Sequence, residues 1–408
     1  MKSIGEAQRE IVECFEPIGV ERLPLLQALG RWLAQEVPAR IDLPRFDNSA
    51  MDGYAVRHAE LSAGCLLKVV GESRAGGAWP EPLLPGTAMR IFTGAPMPAG
   101  ADTVVIQEDT RLDAAAVRIE HVPAADANVR HRGGDLRAGS IALARGQRLA
   151  PGEIGLLATQ GEHAATVYRQ PRVAIVSTGD ELRDIGHDDA PGTIVGSNAY
   201  SLAAQVRESG AEPWVLPAVP DRLDDIASAL DQALRADVVL SSGGVSVGEH
   251  DLVGRALERL GISVRLWKVA IKPGKPLMFA LSGRTPIVGL PGNPVSALVT
   301  FEVFVKPALR RMLGDDAPYP ELIGVRLEHD HRHATGRTEL ARARLVPSGE
   351  GAPLARLHQL QGSGSLPSMC GVDALVVLDG EVEHFPAGSA LRALPLRRDR
   401  GQSQPQFG

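Results

Sequence analysis

Apolar and polar positions follow different patterns along this 408-residue chain. Residues 1–36 carry apolar side chains at three- and four-residue spacing, which predicts helices, and Ser3 with Glu6 matches a helix-capping box. Residues 38–136 contain short β-type runs separated by Pro and Gly, at 66–70, 89–92 and 103–106. A mixed, helical pattern returns around 151–157. These changes predict a β domain inserted into an N-terminal helical module.

From Arg172 onward, predicted strands alternate with helices of 10 to 15 residues. The strands are expected at 173–176, 214–219, 237–240 and 286–290, with two more near Val264 and Leu277; the helices are expected at 198–210, 222–235 and 251–260 and from Pro294, with Asn198 as a cap. This alternation predicts a doubly wound, mostly parallel sheet that binds ligands at the carboxyl ends of its strands. After residue 317 the pattern returns to short strands and ends in a polar tail.

The pattern therefore predicts an α/β multidomain protein. The expected parts are an N-terminal helical and linker module (1–40 and 137–170), an inserted β domain (41–136), a doubly wound α/β domain (171–316) and a C-terminal β domain with a polar tail (317–408). Such a division is expected because a chain of this length is too long for one hydrophobic core.

Composition narrows the class of protein. The chain is 44% apolar and 23% charged, as expected of a soluble globular protein. Its 4% aromatic content and net charge of −6 argue against nucleic-acid binding by stacked rings or by a basic face. No run of about 18 apolar residues predicts a membrane span. The three cysteines lack metal spacing and fit a reducing compartment, so a cytoplasmic location is expected.

The segment SSGGVSVGEHD (241–251) follows a predicted buried strand. The segment does not match a P-loop, because Glu249 and His250 stand where that motif has the phosphate-binding Lys and Ser or Thr. The dinucleotide fingerprint also fails, because Val245 replaces its second glycine. Two interpretations remain: a tight structural turn, or a loop of backbone N–H groups for an oxyanion, with Asp251 holding a cation or capping the next helix.

Three other loops follow strands of the same predicted sheet. STGDEL (177–182) supplies carboxylates, IKPGKP (271–276) lies among Lys268, Lys272 and Lys275, and GLPGNPVSA (289–297) places Asn293, Pro294 and Ser296 at a helix start. Helix capping and solvated lysines would explain each loop separately. Because all four loops are expected at one sheet edge, we predict one cleft for a phosphorylated ligand, with Mg²⁺ between acid and phosphate.

The inserted region adds three polar, glycine-containing segments: DNSAMDGYA (47–55), FTGAPMP (92–98) and RHRGGD (130–135). Turn chemistry explains each of them nearly as well as a function does.

Together these segments resemble the molybdopterin molybdenumtransferases, the bacterial MoeA proteins and the related domain of gephyrin, and they occur here in the family's order. The resemblance implies a molybdopterin-binding α/β domain, a C-terminal β-barrel domain and an elongated homodimer. Its cleft would lie between the α/β domain of one subunit and the inserted domain of the partner. The implied substrates are adenylylated molybdopterin and molybdate, the cofactor is Mg²⁺, and the products are AMP and molybdenum cofactor. Contact with molybdopterin adenylyltransferase is also implied.

The family's functional residues are carried over onto matching positions. Those expected to be catalytic are Asp52, Thr93, Asp135, Glu181, Asp221, Asp251, Lys268 and Lys272. Arg342 and Ser363 are expected by the resemblance to bind substrate. The loop patterns themselves add the other expected substrate-binding residues, which are Gly243, Gly244, Ser246, Gly248, Lys275, Pro291, Asn293, Pro294 and Ser296. Asp251, with Asp221 or Glu181, is expected to hold Mg²⁺. One departure is Gly134, where many relatives have an acid.

Two other functions are compatible with this reading. A molybdopterin adenylyltransferase shares the doubly wound domain, but that group usually has a GGTG loop where this chain has GGVSVG. A non-catalytic, gephyrin-like scaffold is the second.

Two other features of the sequence have simple structural interpretations. His329, His331 and His333 alternate, so on a strand they would share one face as zinc ligands do, but no fourth ligand is near. Cys370 is expected to be a packed thiol.

Overall fold

The computed structural model describes residues 1–186, 191–244, 252–348 and 351–396. Its α-helices are α1 (Ile4–Val12), α2 (Pro151–Thr159), α3 (Ser197–Glu208), α4 (Leu223–Ala233), α5 (Leu252–Arg259), α6 (Pro294–Thr300) and α7 (Lys306–Met312). A π-helical turn (Phe301–Val305) joins α6 to α7. Within the described ranges, no helix is both long and apolar enough to cross a membrane.

The strands of the first half of the chain are β1 (Val20–Pro24), β2 (Val37–Pro38), β3 (Asn48–Ser49), β4 (Gly53–Val56), β5 (Leu66–Ser73), β6 (Thr87–Ile91), β7 (Thr103–Ile106), β8 (Thr110–Asp113), β9 (Ala116–Ile119), β10 (Val129–Arg130), β11 (Ile141–Leu143), β12 (Ala164–Tyr168), β13 (Arg172–Ser177), β14 (Leu182–Arg183) and β15 (Ile194–Val195). Those of the second half are β16 (Glu212–Val215), β17 (Val238–Ser242), β18 (Val264–Lys268), β19 (Ile271–Lys272), β20 (Pro276–Ser282), β21 (Thr285–Leu290), β22 (Ile323–Leu327), β23 (His331–Arg332), β24 (Thr338–Val346), β25 (Leu354–Leu357), β26 (Ala374–Leu378), β27 (His384–Phe385) and β28 (Ala390–Pro395).

These elements form two compact units. The first comprises Met1–Leu23, Gly30–Ala34 and Thr166–Gly408, and the second comprises Pro24–Leu29 and Gln35–Ala165.

The first unit contains a sheet in the order β16-β13-β17-β21-β20-β18. The first four of these strands are parallel, and β20 runs antiparallel to both β21 and β18. Both faces of the sheet are buried, because alternate residues of β13 enter different cores. Val173 and Ile175 join a core with α1, α3, α6 and α7, whereas Ala174 and Val176 join one with α4 and α5.

The same unit contains a β-barrel. Strands β24, β25, β22, β28 and β26 pair in that order, and β26 pairs back with β24, which closes the barrel. The core of the barrel contains small and branched side chains such as Val325, Ala341 and Val376. Strand β19, in the loop between β18 and β20, pairs with the start of β24 and joins the barrel to the α/β sheet.

The second unit is built on a mixed sheet in the order β7-β4-β6-β5-β9-β8. The β-type runs predicted at 66–70, 89–92 and 103–106 lie in β5, β6 and β7. Gly53 begins β4, and a Cβ atom there would lie 2.0 Å from the Val105 carbonyl oxygen on β7. Close strand packing therefore requires this glycine of the DNSAMDGYA segment.

Several sequence predictions require correction. The predicted capping box at Ser3 and Glu6 begins α1, but residues 20–24 form a strand and Leu25–Ala28 only a 3₁₀ turn, where helices were expected. The alternation in VERLP fits a strand with one partly buried face better than a helix. Asn198 does not cap α3, because Gly196 occupies the N-cap position.

Candidate active site on the sheet edge

The carboxyl ends of β13, β17 and β21 meet at one edge of the sheet. Strand β18 runs in the same direction as β21, since each is antiparallel to β20, so Lys268 also ends at this edge. The loops that begin after Ser177, Ser242, Lys268 and Leu290 therefore share one side of the first unit. Ligands of such sheets bind at this side.

Gly243 and Gly244 open the loop after β17. Both have a left-handed backbone, with φ of 91° and 66°, and a Cβ atom on Gly243 would lie 2.7 Å from the Thr178 carbonyl oxygen. Gly243 is therefore required by a close approach to the loop after β13, and Gly244 by a close approach to Val253 on α5. Ser246, Gly248 and Asp251, which complete the expected anion and cation sites of this loop, lie outside the described residues.

Asn198, at the start of α3, connects two of these loops. Its Nδ2 atom donates to Ser242 Oγ (2.8 Å) and to the Gly292 carbonyl oxygen (2.7 Å). The sequence analysis assigned Asn198 only a helix cap, so this structural link was missed.

A cavity of about 470 Å³ opens beside the loops after β18 and β21. Its lining includes six of the expected ligand-binding residues: Lys272, Lys275, Pro291, Asn293, Ser296 and Ser363. Arg337, Gln361 and Gly362 also line it and were not predicted. The cavity therefore presents three cationic side chains together with hydroxyl and amide groups, a donor set suited to an oxyanion. Lys268 and Pro294 do not line it.

The N-terminus of α6 is partly occupied by hydrogen bonds to the barrel loop. The Val295 N–H donates to the Ser363 carbonyl oxygen (3.0 Å), and Asn293 Nδ2 donates to Ser363 Oγ (3.2 Å). Asn293 occupies the N-cap position, but its side chain makes no capping hydrogen bond. Because the barrel loop takes one of the helix's free N–H groups, the side chains of the cavity carry more of its attraction for an anion.

Arg342 is fully buried in β24 and does not line the cavity. Its Nη2 atom donates to the carbonyl oxygens of Leu360 (3.0 Å) and Gly362 (3.3 Å). Burial lowers the pKa of Arg342, and the charge of Glu339 partly offsets that effect. Arg342 thus holds the loop that carries Ser363, and its expected substrate-binding role stays a prediction.

Carboxylates gather at another point of the same edge. The Asp221 N–H donates to Asp180 Oδ1 (3.0 Å), and Glu181 is next in the chain. Burial raises the pKa of the Asp221 carboxyl, and the negative charges of Asp180 and Glu181 raise it further. In the described part of the chain, no group of three His, Cys, Asp or Glu side chains is arranged to hold a metal ion. The histidines His329, His331 and His333 therefore do not form such a group.

In the second unit, Asp52 and Thr93 form a defined pair. Asp52 Oδ1 accepts hydrogen bonds from the Thr93 N–H (2.8 Å) and hydroxyl (2.7 Å). The bond from the Thr93 backbone, followed by that from its hydroxyl, lowers the pKa of Asp52. The pair therefore keeps Asp52 ionised. Asp135 is exposed, and its N–H donates to the Leu43 carbonyl oxygen (2.9 Å).

Comparison with known proteins accounts for nearly the whole chain. Three family models match: the MoeA N-terminal region, domains I and II (residues 2–161), a probable molybdopterin binding domain (174–311) and the MoeA C-terminal region, domain IV (325–396). The chain is 41% identical to a molybdopterin molybdenumtransferase of Nostoc sp. over 92% of its own length and 88% of that protein. It is 34% identical to that of Haemophilus influenzae over 97% and 99%.

A solved structure agrees with this result. The crystal structure of a molybdopterin biosynthesis MoeA protein from Pyrococcus horikoshii is similar with a TM-score of 0.82 and 27% identity. The similarity covers 97% of this chain and 100% of that one.

Proposed function

Because this chain belongs to the molybdopterin molybdenumtransferase family, we propose that it inserts molybdenum into molybdopterin during molybdenum cofactor biosynthesis. The observation that carries the proposal is the cavity on the sheet edge, where Lys272, Lys275 and Arg337 surround a space of about 470 Å³. Molybdate is a tetrahedral oxyanion, and ammonium, guanidinium and hydroxyl groups are the donors that bind such an anion.

The proposed substrate is adenylylated molybdopterin, whose pyrophosphate bond is cleaved with release of AMP. Cleavage of a phosphoanhydride requires neutralisation of the charge that develops on the leaving phosphate more than it requires covalent chemistry. Lys272 and Lys275 would neutralise this charge and hold molybdate, Ser296 and Ser363 would donate hydrogen bonds, and the loop at Gly243 would contact the phosphates.

Mg²⁺ is the proposed cofactor, held by Asp221, Glu181 and Asp251. The donor chemistry fits, because burial and then the like charges of Asp180 and Glu181 raise the pKa of Asp221, and a divalent cation would relieve that repulsion. When bound, the cation would neutralise pyrophosphate oxygens as the bond breaks. Asp180 was not predicted, and its carboxylate fixes the backbone at Asp221.

Asp52, Thr93 and Asp135 belong to the second unit, and we propose that they act in a homodimer, in the cleft completed by the partner subunit. The Thr93 hydrogen bonds keep Asp52 ionised, which suits it to hold a cation or to orient a donor of the substrate. We further propose a cytoplasmic protein that receives its labile substrate by contact with molybdopterin adenylyltransferase.

One experiment tests the reaction directly. Purified protein is mixed with adenylylated molybdopterin, Mg²⁺ and molybdate, and AMP and active cofactor are assayed together. The proposal requires AMP release that depends on both molybdate and Mg²⁺. If molybdopterin and ATP instead give adenylylated molybdopterin, the protein is an adenylyltransferase. Absence of both reactions in protein that still binds a structural partner would favour a scaffold.

A further inference from the structure

Beneath the lysine-lined cavity lies a buried carboxylate, Glu339, with a cationic side chain on either side. Its side chain is 3% exposed, and its Oε2 atom lies 2.9 Å from Lys272 Nζ and 3.2 Å from His333 Nδ1. The backbone fixes this arrangement, because Lys272 on β19 is directly opposite Glu339 on β24 in a parallel pair. A buried carboxylate is stable only when it is paired, so the identity and charge of its partners matter.

The hydrogen-bond partners of His333 determine its protonation. Nε2 lies 2.7 Å from the Val382 carbonyl oxygen and 3.1 Å from that of Asp379, which can only accept. Nδ1 is buried without an aligned hydrogen bond, and Glu339 Oε2 is the charged atom beside it. A neutral ring would protonate Nε2 and turn the Nδ1 lone pair toward a carboxylate. Two protons on the ring remove this repulsion.

A protonated Glu339 could also satisfy Nδ1, but Lys272 argues against it. A lysine 2.9 Å from the same oxygen favours the ionised carboxylate. His331 stacks on the His333 ring with centroids 6.4 Å apart, and burial lowers the pKa of His331, partly offset by the attraction of Glu339.

Other charged and aromatic side chains lie around the pair in the described part of the chain. The guanidinium of Arg342 interacts with Glu339 from further along β24. Arg332 pairs with Glu383 (3.6 Å), and the Asp379 carboxylate accepts from the Glu381 N–H (3.0 Å). Phe385 covers the other side of the His333 ring, with centroids 5.6 Å apart. None of these groups replaces His333 as the counter-charge closest to Glu339 on the barrel side.

We propose that Glu339 and His333 are positioning residues for the anion site: Glu339 fixes the Lys272 ammonium, and the His333 imidazolium cancels the charge of Glu339. Lys272 paired with Glu339 alone would be nearly neutral toward an anion in the cavity. With the imidazolium present, the triad keeps one net positive charge, which Lys272 presents to the cavity. The role as a molybdate site rests on the proposed function, whereas the charge arrangement does not.

The test is a double-mutant cycle on anion binding. Isothermal titration calorimetry measures the Kd of molybdate, and separately of sulfate, for the full chain and for His333→Asn, Glu339→Gln and the double variant. His333→Asn is expected to weaken binding roughly tenfold, since it leaves the charge of Glu339 uncancelled. In the Glu339→Gln background the same substitution is expected to change Kd less than twofold, because no charge remains to cancel.

Further measurements make the result decisive. His384→Asn is the matched control, because this histidine pairs with Asp330 instead of Glu339 and is expected to leave Kd unchanged. Imidazole ¹⁵N shifts should show both nitrogens of His333 protonated in the folded protein. A neutral His333 tautomer, or an equal loss of affinity in both backgrounds, would overturn the proposal. If the Kd of sulfate changes among the variants as expected but no molybdate binding is detected, the result supports the charge arrangement and counts against the proposed function.

Discussion

The lysine-lined cavity (Lys272 and Lys275) and the carboxylate cluster (Asp180, Glu181 and Asp221) lie at the same sheet edge, but different interactions hold their side chains. The cavity joins two loops of the α/β sheet to a barrel loop, and its Lys272 is fixed by a buried carboxylate. Asp221 and Glu181 are exposed on adjacent loops, where one described backbone hydrogen bond links Asp180 to Asp221 and like charges oppose one another. The side chains of the anion site are thus held in place by contacts within the folded protein, whereas the acidic side chains would be held in place only when a cation binds.

Removal of a lysine from the organised site should have the largest effect. Lys272→Ala is expected to reduce the rate of AMP release by roughly 10²–10³-fold, the usual loss when a preorganised electrostatic contact to a developing charge is removed. Lys68→Ala, which replaces an exposed lysine on β5, is the matched control and should retain full activity. Near-normal turnover of Lys272→Ala, with thermal unfolding unchanged, would contradict the assigned role.

The carboxylate cluster should respond to pH and cation together. The folded protein holds the Asp221 proton more tightly than the unfolded chain, whose ordinary pKa is 3.8, so stability without cation should fall as pH rises from 3.8 through the raised folded pKa. Asp221→Asn should reduce this fall and should also weaken the dependence of activity on Mg²⁺. Thermal unfolding between pH 3.5 and 7, with and without Mg²⁺, measures both effects. Leu223→Asp adds an acid nearby and should steepen the fall, and an unchanged pH dependence in both variants would contradict the interpretation.

The comparison also separates what sequence can predict from what it cannot. The loops of the α/β sheet were predictable because each follows an apolar strand, and parallel strands end at one edge. The barrel's contribution was not predictable. Arg337 and Gln361 line the cavity, and Glu339 pairs with Lys272 beneath it because β19 pairs with β24, a contact between residues 67 apart at Lys272 and Glu339. No local pattern encodes such a pairing.

In two errors the local sequence pattern was outweighed by another physical constraint. Asn198 was assigned a cap from its position before an apolar run, yet its amide is used for a tertiary link to Gly292, 94 residues away. Residues 20–24 were predicted as helix from apolar spacing, although Pro24 at the end of this stretch disfavours a continuing helix. In each case a long-range contact or a backbone restriction outweighed the local pattern.

The Asn198 link provides a test of whether the cavity is preformed. Asn198→Ala removes both hydrogen bonds to Ser242 and Gly292, which is expected to lower the free energy of unfolding by about 1–2 kcal/mol. The Kd of molybdate should rise a fewfold, because the loop after β21 loses its anchor. Asn198→Asp keeps the size but removes the donors and should behave like Ala. Unchanged stability and affinity in both variants would show that the loop is held by other contacts.

The smallest expected effect concerns Asp52. Its carboxylate accepts hydrogen bonds, whereas the carboxylate of Asp221 faces like charges. Thr93→Val removes the hydroxyl but leaves the backbone N–H, so the pKa of Asp52 should rise part of the way toward 3.8. The contribution of Asp52 to stability is present above 3.8 and is lost as pH falls through the folded pKa, so in this variant the contribution should be smaller and its loss should be complete at a higher pH. A ¹³C NMR titration of the Asp52 carboxyl measures the shift directly, with Thr93→Ser as the control that keeps the hydroxyl. If Thr93→Val leaves the titration unchanged, the backbone N–H alone holds the carboxylate, and Thr93 matters at this position only through its main chain.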